Sequence, residues 1–309
     1  MLERPPLSLY IHVPWCVRKC PYCDFNSHES TTDLPEQEYI DLLLDDFLRD
    51  RARLDGDNKL VSIFIGGGTP SLFGGGSYRY LLSRIEEQIP FSENIEITLE
   101  ANPGTAEAER FAAYHDAGIN RLSLGIQSFD DQCLSRLGRI HNSEEALSAI
   151  VIAKQVGFEN FNLDLMHGLP GQSSRQAVKD LKIGINSGPT HISWYQLTIE
   201  PNTVFYNRPP ALPVENILEE IQTNGHELLK GKDFRQYEVS AYAMSNQESI
   251  HNLNYWSFGD YLGIGAGAHG KLTLATENRI IRTRKVKQPK HYFSAVNGRD
   301  AEIKEIPMQ

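Results

Sequence analysis

Apolar positions along this chain follow two spacings, one of about two residues and one of about 3.6, and the two take turns. Runs rich in Ile, Val, Leu, Phe and Tyr stand at Ser8–Val13, Leu60–Ile65, Asn94–Glu100, Asn120–Ile126, Asn160–Met166 and His191–Thr198, each of strand length. Between them the spacing is helical. In "LPEQEYIDLLLDDFLRDRARL" the apolar positions are Tyr39, Leu42, Leu43, Phe47 and Leu48. "SYRYLLSRIEEQI", "TAEAERFAAYHDAG", "SEEALSAIVIAKQVG" and "SSRQAVKDLKIGINSG" follow the same scheme, with Ser or Thr at their heads and Gly near several ends. Strand, helix, strand, repeated, predicts parallel pairing through right-handed crossovers.

Periodicity does not separate an open doubly wound sheet from a (β/α) barrel. The placing of the unusual residues favours the barrel. A cysteine loop follows the first run, "GGGTP" (Gly66–Pro70) the second, and "EANPG" (Glu100–Gly104) ends the third. "GIQSF" (Gly125–Phe129), "DLMHGLPGQ" (Asp164–Gln172) and "YQLTIEPN" (Tyr195–Asn202) end the others. The C-terminal ends of parallel strands are where α/β folds bind ligands, and motifs converging from every strand suggest a ring. The expected fold is α/β, a partial (β/α)6 TIM-like barrel over residues 1–210 with a C-terminal β/α extension over 211–309. In the extension, "LPVENILEEIQTNGHELLKGK" reads as a helix, "FRQYEVSAYA" as a strand and "KLTLATENRIIRTRKV" as a β-hairpin. "HNLNYWSFGDYLGIGAGAHG" reads as a Gly- and aromatic-rich segment, "PKHYFSAVNG" as a helix, and "EIKEIPMQ" as an end without a closing element.

Composition narrows the classes. Hydrophobic residues make up 40% and charged residues 23%, ordinary for a globular chain. A formal net charge of −10 argues against a nucleic-acid partner. The one basic stretch, Arg279 to His291, reads as a solvated hairpin edge guarded by Lys and Arg. No apolar run has membrane-span length and the N-terminus lacks a signal-peptide pattern, so a cytoplasmic location is expected, with thiols kept reduced.

Three of the four cysteines, Cys16, Cys20 and Cys23, fall in "WCVRKCPYCDF", while Cys133 reads as a small residue on a helix. Structural zinc wants four ligands, commonly as two separated pairs, and there is no second cysteine pair; His12 or His28 would have to complete such a site. An iron–sulfur cube has four irons. Three thiolates leave one iron open to a small ligand. "GGGTP" lacks the last glycine of a dinucleotide fingerprint, since Ser71 stands there, so its glycines serve close backbone approach to a ligand or a tight turn.

The C-x3-C-x2-C spacing with Tyr22 before the last cysteine resembles the radical S-adenosylmethionine (SAM) superfamily. The resemblance implies a [4Fe–4S] cluster on Cys16, Cys20 and Cys23, with SAM chelating the open iron and Tyr22 near its adenine. It further implies that an electron from the cluster cleaves the sulfonium to a 5′-deoxyadenosyl radical. "LYIHVPWC", "GGGTPSL", "RLGRIH", "FNLDLMHGLPGQ" and "YQLTIEPNT" resemble the branch of oxygen-independent coproporphyrinogen III dehydrogenase, from about Leu7 to the hairpin. By that likeness Tyr10, Tyr22, Gly67, Gly68, Thr69 and Glu100 would serve the cluster-bound SAM, and Gln127, Arg139 and Asp164 a second SAM site. The plainer alternatives are strand-end caps for Glu100 and Asp164 and a surface ion pair for Arg139.

Two departures shift the reading. Phe25 stands where the dehydrogenase signature has a fourth cysteine, which sets coproporphyrinogen dehydrogenase activity in doubt. "HNLNYW" (His251–Trp256) resembles the motif of the HemW-type haem-chaperone branch. That resemblance implies haem bound near His251, flanked by Tyr255 and Trp256, against the alternative that His251 and Asn252 only hold a loop. The implied partners are haem or a porphyrin, haem-acceptor proteins, an electron donor for the cluster and at most a peripheral membrane contact. The rivals are radical decarboxylation of coproporphyrinogen propionates and a zinc-stabilised barrel. The chain stops at Gln309, near where the family's small C-terminal domain is expected to begin.

Overall fold

The alternating runs become strands with one greasy and one polar face. In β1 (Leu7–Val13), Leu7, Leu9, Ile11 and Val13 are sealed against helices, while Ser8, Tyr10 and His12 point the other way. β2 (Leu60–Gly67), β3 (Phe91–Ala101), β4 (Arg121–Gln127), β5 (Asn160–His167) and β6 (His191–Gln196) follow, each parallel to the one before. The computed structural model describes residues 2–30, 34–104, 108–295 and 298–306. Outside the strands run α1 (Glu36–Arg51), α2 (Gly75–Glu86), α3 (Phe111–Asp116), α4 (Asp131–Leu137), α5 (Ser143–Val156) and α6 (Ser174–Asn186). Tyr39, Leu43 and Phe47 of α1 join Leu9 and Ile11 in one core. Leu48, expected on that face, is exposed.

Caps mark where these helices begin. Asn142 closes a capping box with Glu145 at the head of α5, one residue before the expected Ser143, and Ser173 does the same with Gln176 at α6. Thr105, the expected cap ahead of α3, lies outside the described residues.

The remaining elements widen the sheet at both ends. After α7 (Val204–Asn207) and α8 (Glu215–Lys230) come β7 (Arg235–Gln236), β8 (Ala241–Ala243), α9 (Ile250–Trp256), β9 (Asp260–Ile264), β10 (His269–Leu274), β11 (Arg279–Lys285), α10 (Pro289–Ser294) and β12 (Asp300–Ile306). The 12-stranded order is β12-β11-β10-β9-β1-β2-β3-β4-β5-β6-β8-β7. β9 runs parallel to β1, and the strands beyond it are antiparallel.

Four expectations for this region are corrected. "FRQYEVSAYA" is not one strand but two short antiparallel ones, β7 and β8. The Gly-rich segment holds α9 and the parallel strand β9. Its glycines answer close packing: a Cβ on Gly263 would lie 1.8 Å from the His269 carbonyl oxygen. The basic stretch is not a solvated edge, because β12 pairs along β11 and Lys285 is 1% exposed. The chain end does carry a closing element, β12 itself. No helix among the described residues is long and apolar enough to cross a membrane.

Candidate functional site

The polar faces of β1–β6 meet in a concave interior tied by hydrogen bonds. Ser62 donates to Ser8 at 2.8 Å, Ser123 to Asp164 at 3.0 Å, and Asn162 to both Ser123 and Asp164 at 2.8 Å. At the C-terminal mouth of this interior lies a cavity of 460 Å³. Cys16, Cys20 and Cys23 all line it, together with Tyr22, Gly67, Gly68, Thr69, Glu100, Gln127, Arg139 and Asp164. Nearly every residue singled out from the sequence is thus brought to one place. Tyr10 instead lines a neighbouring cavity of 400 Å³, which shares Phe25, Gly67 and Glu100 with the first. Cys133 lines neither; it is buried in a small core with Leu137 and Met166, against which Tyr22 and Tyr195 of the first cavity pack.

The loop is shaped by its own backbone. Trp15 and Cys16 pair with His28 and Glu29, the Cys23 amide donates to the Cys20 carbonyl at 3.1 Å, and Lys19 ties the Phe25 and Ser27 carbonyls. Burial pushes the Cys16 thiol up, opposed by hydrogen bonds from Thr69 and Ser27. Arg139 reaches the Cys20 sulfur at 3.4 Å, the Gly125 backbone carbonyl at 3.0 Å and the Asn102 side-chain Oδ1 at 2.6 Å. Burial works against its charge, but Tyr22 and Cys20 outweigh that and hold the guanidinium's pKa above its ordinary value. A cation here is suited to offset thiolate and cluster charge.

Among the described residues no three His, Cys, Asp or Glu side chains converge on a single ion. The imidazoles offered for a zinc site are engaged elsewhere. His12 contacts the Tyr10 hydroxyl and the Asn26 carbonyl, both at 2.9 Å, and His28 contacts the Asn26 side chain at 3.3 Å. Three thiols lining one cavity are the donor type that an iron–sulfur cube takes.

The inner wall suits a ligand carrying positive charge. Gly67 sits at φ +120°, where a Cβ would meet the His12 ring at 2.6 Å, and its amide donates to Glu100 at 3.0 Å. Burial, then Asp164, push Glu100 up to about 8, against the Gly67 bond; burial also raises Asp164. Both carboxyls face the cavity and not bulk water, so an incoming cationic group would favour their ionised forms. Gln127 holds the left-handed region at φ 65° while accepting from the Tyr195 hydroxyl at 2.8 Å. Asn102 and Tyr195 were passed over in the sequence; their position just after or within a strand end was the available signal.

In the folded cluster-free chain Glu100 keeps its proton to about pH 8, whereas the unfolded chain releases it near 4.5. Between these values the folded state holds more protons, so this group's contribution to stability falls as pH rises and is constant above about pH 8. Glu100→Gln removes that dependence. Urea unfolding should show the variant gaining roughly 2–4 kcal/mol on wild type across this window. A difference that does not change with pH overturns the assignment. The comparison must be differential, because burial lowers His141 and His167 to about 4 and their contributions run the opposite way.

His251 lines neither cavity. It is 2% exposed, beneath the second cavity. One ring nitrogen contacts Ser62 at 3.0 Å and the other the Tyr255 hydroxyl at 2.9 Å. Burial, with Arg121, lowers it to about 3. Glu96 accepts from the Ser249 hydroxyl and the Ile250 and His251 amides at 3.2 Å, pinning α9 under the barrel. In this arrangement neither nitrogen is free for iron. Trp256 is exposed and donates to Glu238, while Tyr255 does line the second cavity.

Known proteins agree with this architecture. The model of the radical SAM superfamily matches residues 10–182. The chain is 60% identical to the heme chaperone HemW of Haemophilus influenzae, over 95% of this chain and 77% of that protein. It is 50% identical to the heme chaperone HemW of Escherichia coli, over 100% of this chain and 82% of that one. Among solved structures, coproporphyrinogen III oxidase (HemN) of Escherichia coli superposes with a TM-score of 0.84 at 21% identity, covering 98% of this chain and 73% of that one, a likeness of fold. The chain therefore belongs to the radical SAM superfamily and, within it, to the HemW family.

Proposed function

We propose that this chain binds haem and hands it to acceptor proteins, with a [4Fe–4S] cluster and SAM as resident cofactors. The observation that carries the reading is the 60% identity to a protein named as a heme chaperone across almost the whole chain. Cys16, Cys20 and Cys23 would hold the cluster. Tyr22, Gly67, Gly68, Thr69 and Glu100 would hold SAM beside it, with Tyr10 behind Gly67 and Glu100. Gln127, Arg139 and Asp164 would line the far side of the cavity. When bound, the cluster supplies single electrons, which calls for an external reductant. The thiolates and cluster need a reducing compartment, so we place the protein's action in the cytoplasm.

The competing reading is oxidative decarboxylation of coproporphyrinogen III. It has the fold of its solved relative in favour and Phe25, at the fourth-cysteine position, against it. Anaerobically reconstituted protein should bind hemin, pass it to an apo-haem protein, and leave coproporphyrinogen III unchanged in the presence of SAM and dithionite. Turnover to protoporphyrinogen overturns the reading, and so does failure to bind hemin.

A further inference from the structure

A single apolar ring on a protein surface is ordinary. Phe25 differs by its place. It is 62% exposed, yet it lines the first cavity together with Cys16, Cys20 and Cys23, and it lines the second cavity as well. Of the described residues that wall both cavities, Gly67 and Glu100 belong to the ends of β2 and β3. Phe25 comes from the cysteine loop, two residues after Cys23.

Its backbone is fixed while its ring is left mostly in water. The Phe25 carbonyl accepts from the Lys19 ammonium at 3.1 Å and from the Ser27 amide at 2.7 Å. The next residue, Asn26, donates to the Ala266 and Lys287 carbonyls at 2.8 and 3.0 Å. A Cβ on Gly267 would stand 2.3 Å from the Asn26 side-chain nitrogen, so the turn is fitted closely against the C-terminal segments. Tyr22, in the same loop, packs against Phe205 with ring centroids 6.3 Å apart. The loop thus gives the first cavity one aromatic side chain set into the wall and one standing at the lip.

Resting on the cluster-and-SAM reading, we propose that Phe25 is the closing side chain of the first cavity. Its ring folds over SAM at the cluster, seals that ligand from water and parts the first cavity from the second. Burying an exposed phenyl ring against a ligand is favourable in proportion to the apolar area taken from water. Closure therefore follows occupancy, and with the backbone held it needs only rotation of the side chain. Water expelled from the cavity leaves Glu100 and Asp164 to act more strongly on a cationic ligand. At the position where the dehydrogenase signature has a thiol, this chain places a lid.

The test uses the full chain, anaerobically reconstituted, as wild type, Phe25→Ala and Phe25→Leu. SAM affinity is measured by equilibrium dialysis. The bleaching rate of the cluster's visible absorbance is followed in air-saturated buffer, with and without saturating SAM. Phe25→Ala should bind SAM about tenfold more weakly, within what burying most of a phenyl ring supplies. SAM should slow bleaching in wild type and no longer do so in Phe25→Ala, while the SAM-free rates of the two stay alike. Phe25→Leu keeps an apolar side chain at the lip and should retain most of both effects. Equal SAM affinity and equal protection in wild type and Phe25→Ala overturn the lid and leave the cofactor assignment standing. Lower iron and sulfide content in Phe25→Ala than in wild type also overturns it, because the ring then serves the fold of the loop. A wild type that takes up no cluster, or binds no SAM once it holds one, overturns the cofactor reading and the lid with it.

Discussion

Cys16→Ser, Cys20→Ser and Cys23→Ser are each expected to leave the reconstituted chain nearly devoid of iron and sulfide, and without measurable SAM binding. A cube held at three corners loses its closed attachment when one corner goes, and no nearby thiol replaces it. Cys133 is buried in a separate core against Leu137 and Met166, and no other cysteine exists in the chain. A serine hydroxyl is too weakly acidic to substitute for a thiolate at neutral pH. Cys133→Ser is the matched control and should retain wild-type iron. The measurement is iron and sulfide per chain after anaerobic reconstitution, with the thermal midpoint of the cluster-free protein alongside. The midpoint separates loss of ligand from loss of fold, because Cys20 and Cys23 lie on a half-buried loop and not in the core. Wild-type iron in any of the three variants sinks the cluster assignment.

What the sequence disclosed, and what it hid, follows from how far each residue's partners lie along the chain. β1 was legible because Leu7, Leu9, Ile11 and Val13 alternate with Ser8, Tyr10 and His12, a purely local signal. Most of the mouth residues were legible because they sit near or just past the end of such a run, where the topology sends all strand ends the same way, whereas Arg139, beyond α4, was reached only through the resemblance. β9 was not. Asp260–Ile264 is short and flanked by Gly259 and Gly265, which read as loop. A Cβ on Gly265 would stand 2.4 Å from the His12 carbonyl oxygen, so that glycine answers a strand far earlier in the chain. The contacts of His251 were hidden for the same reason. The motif around it was visible, but Ser62, which takes up one of its nitrogens, lies on strand β2, far earlier in the chain. Locally, a histidine free for iron and one held by a serine look identical.

The basic stretch of β11 is the clearest such case, and it carries the second large expected effect: Lys285→Met should destabilise the cluster-free protein by roughly 3–5 kcal/mol. Lys285 lies between Asp46 and Asp50 of α1, at 2.7 and 2.9 Å, and Asp300 of β12, at 2.9 Å. Burial pulls its ammonium down, but Asp46 and Asp50 outweigh burial and hold it above its usual value. Burial pushes Asp50 up to about 6 even with this cation present. Asp46 also accepts from the Gly265 amide at 3.1 Å and the Tyr292 hydroxyl at 2.7 Å, so the cluster joins the first helix to four C-terminal segments. Methionine fills similar space but leaves Asp46 without a counter-charge, and Asp50 and Asp300 with Arg53 alone. Protonation relieves them, so folded-state carboxyl pKa values rise and the penalty grows as pH increases above the ordinary carboxylate range. Urea unfolding should therefore show a smaller loss near pH 5 than near pH 8. Adding Asp46→Asn to Lys285→Met should recover part of the stability, because the acid left without a cation is then gone. A loss below about 1 kcal/mol at pH 8, the range of an exposed pair, would show that Lys285 is solvated after all.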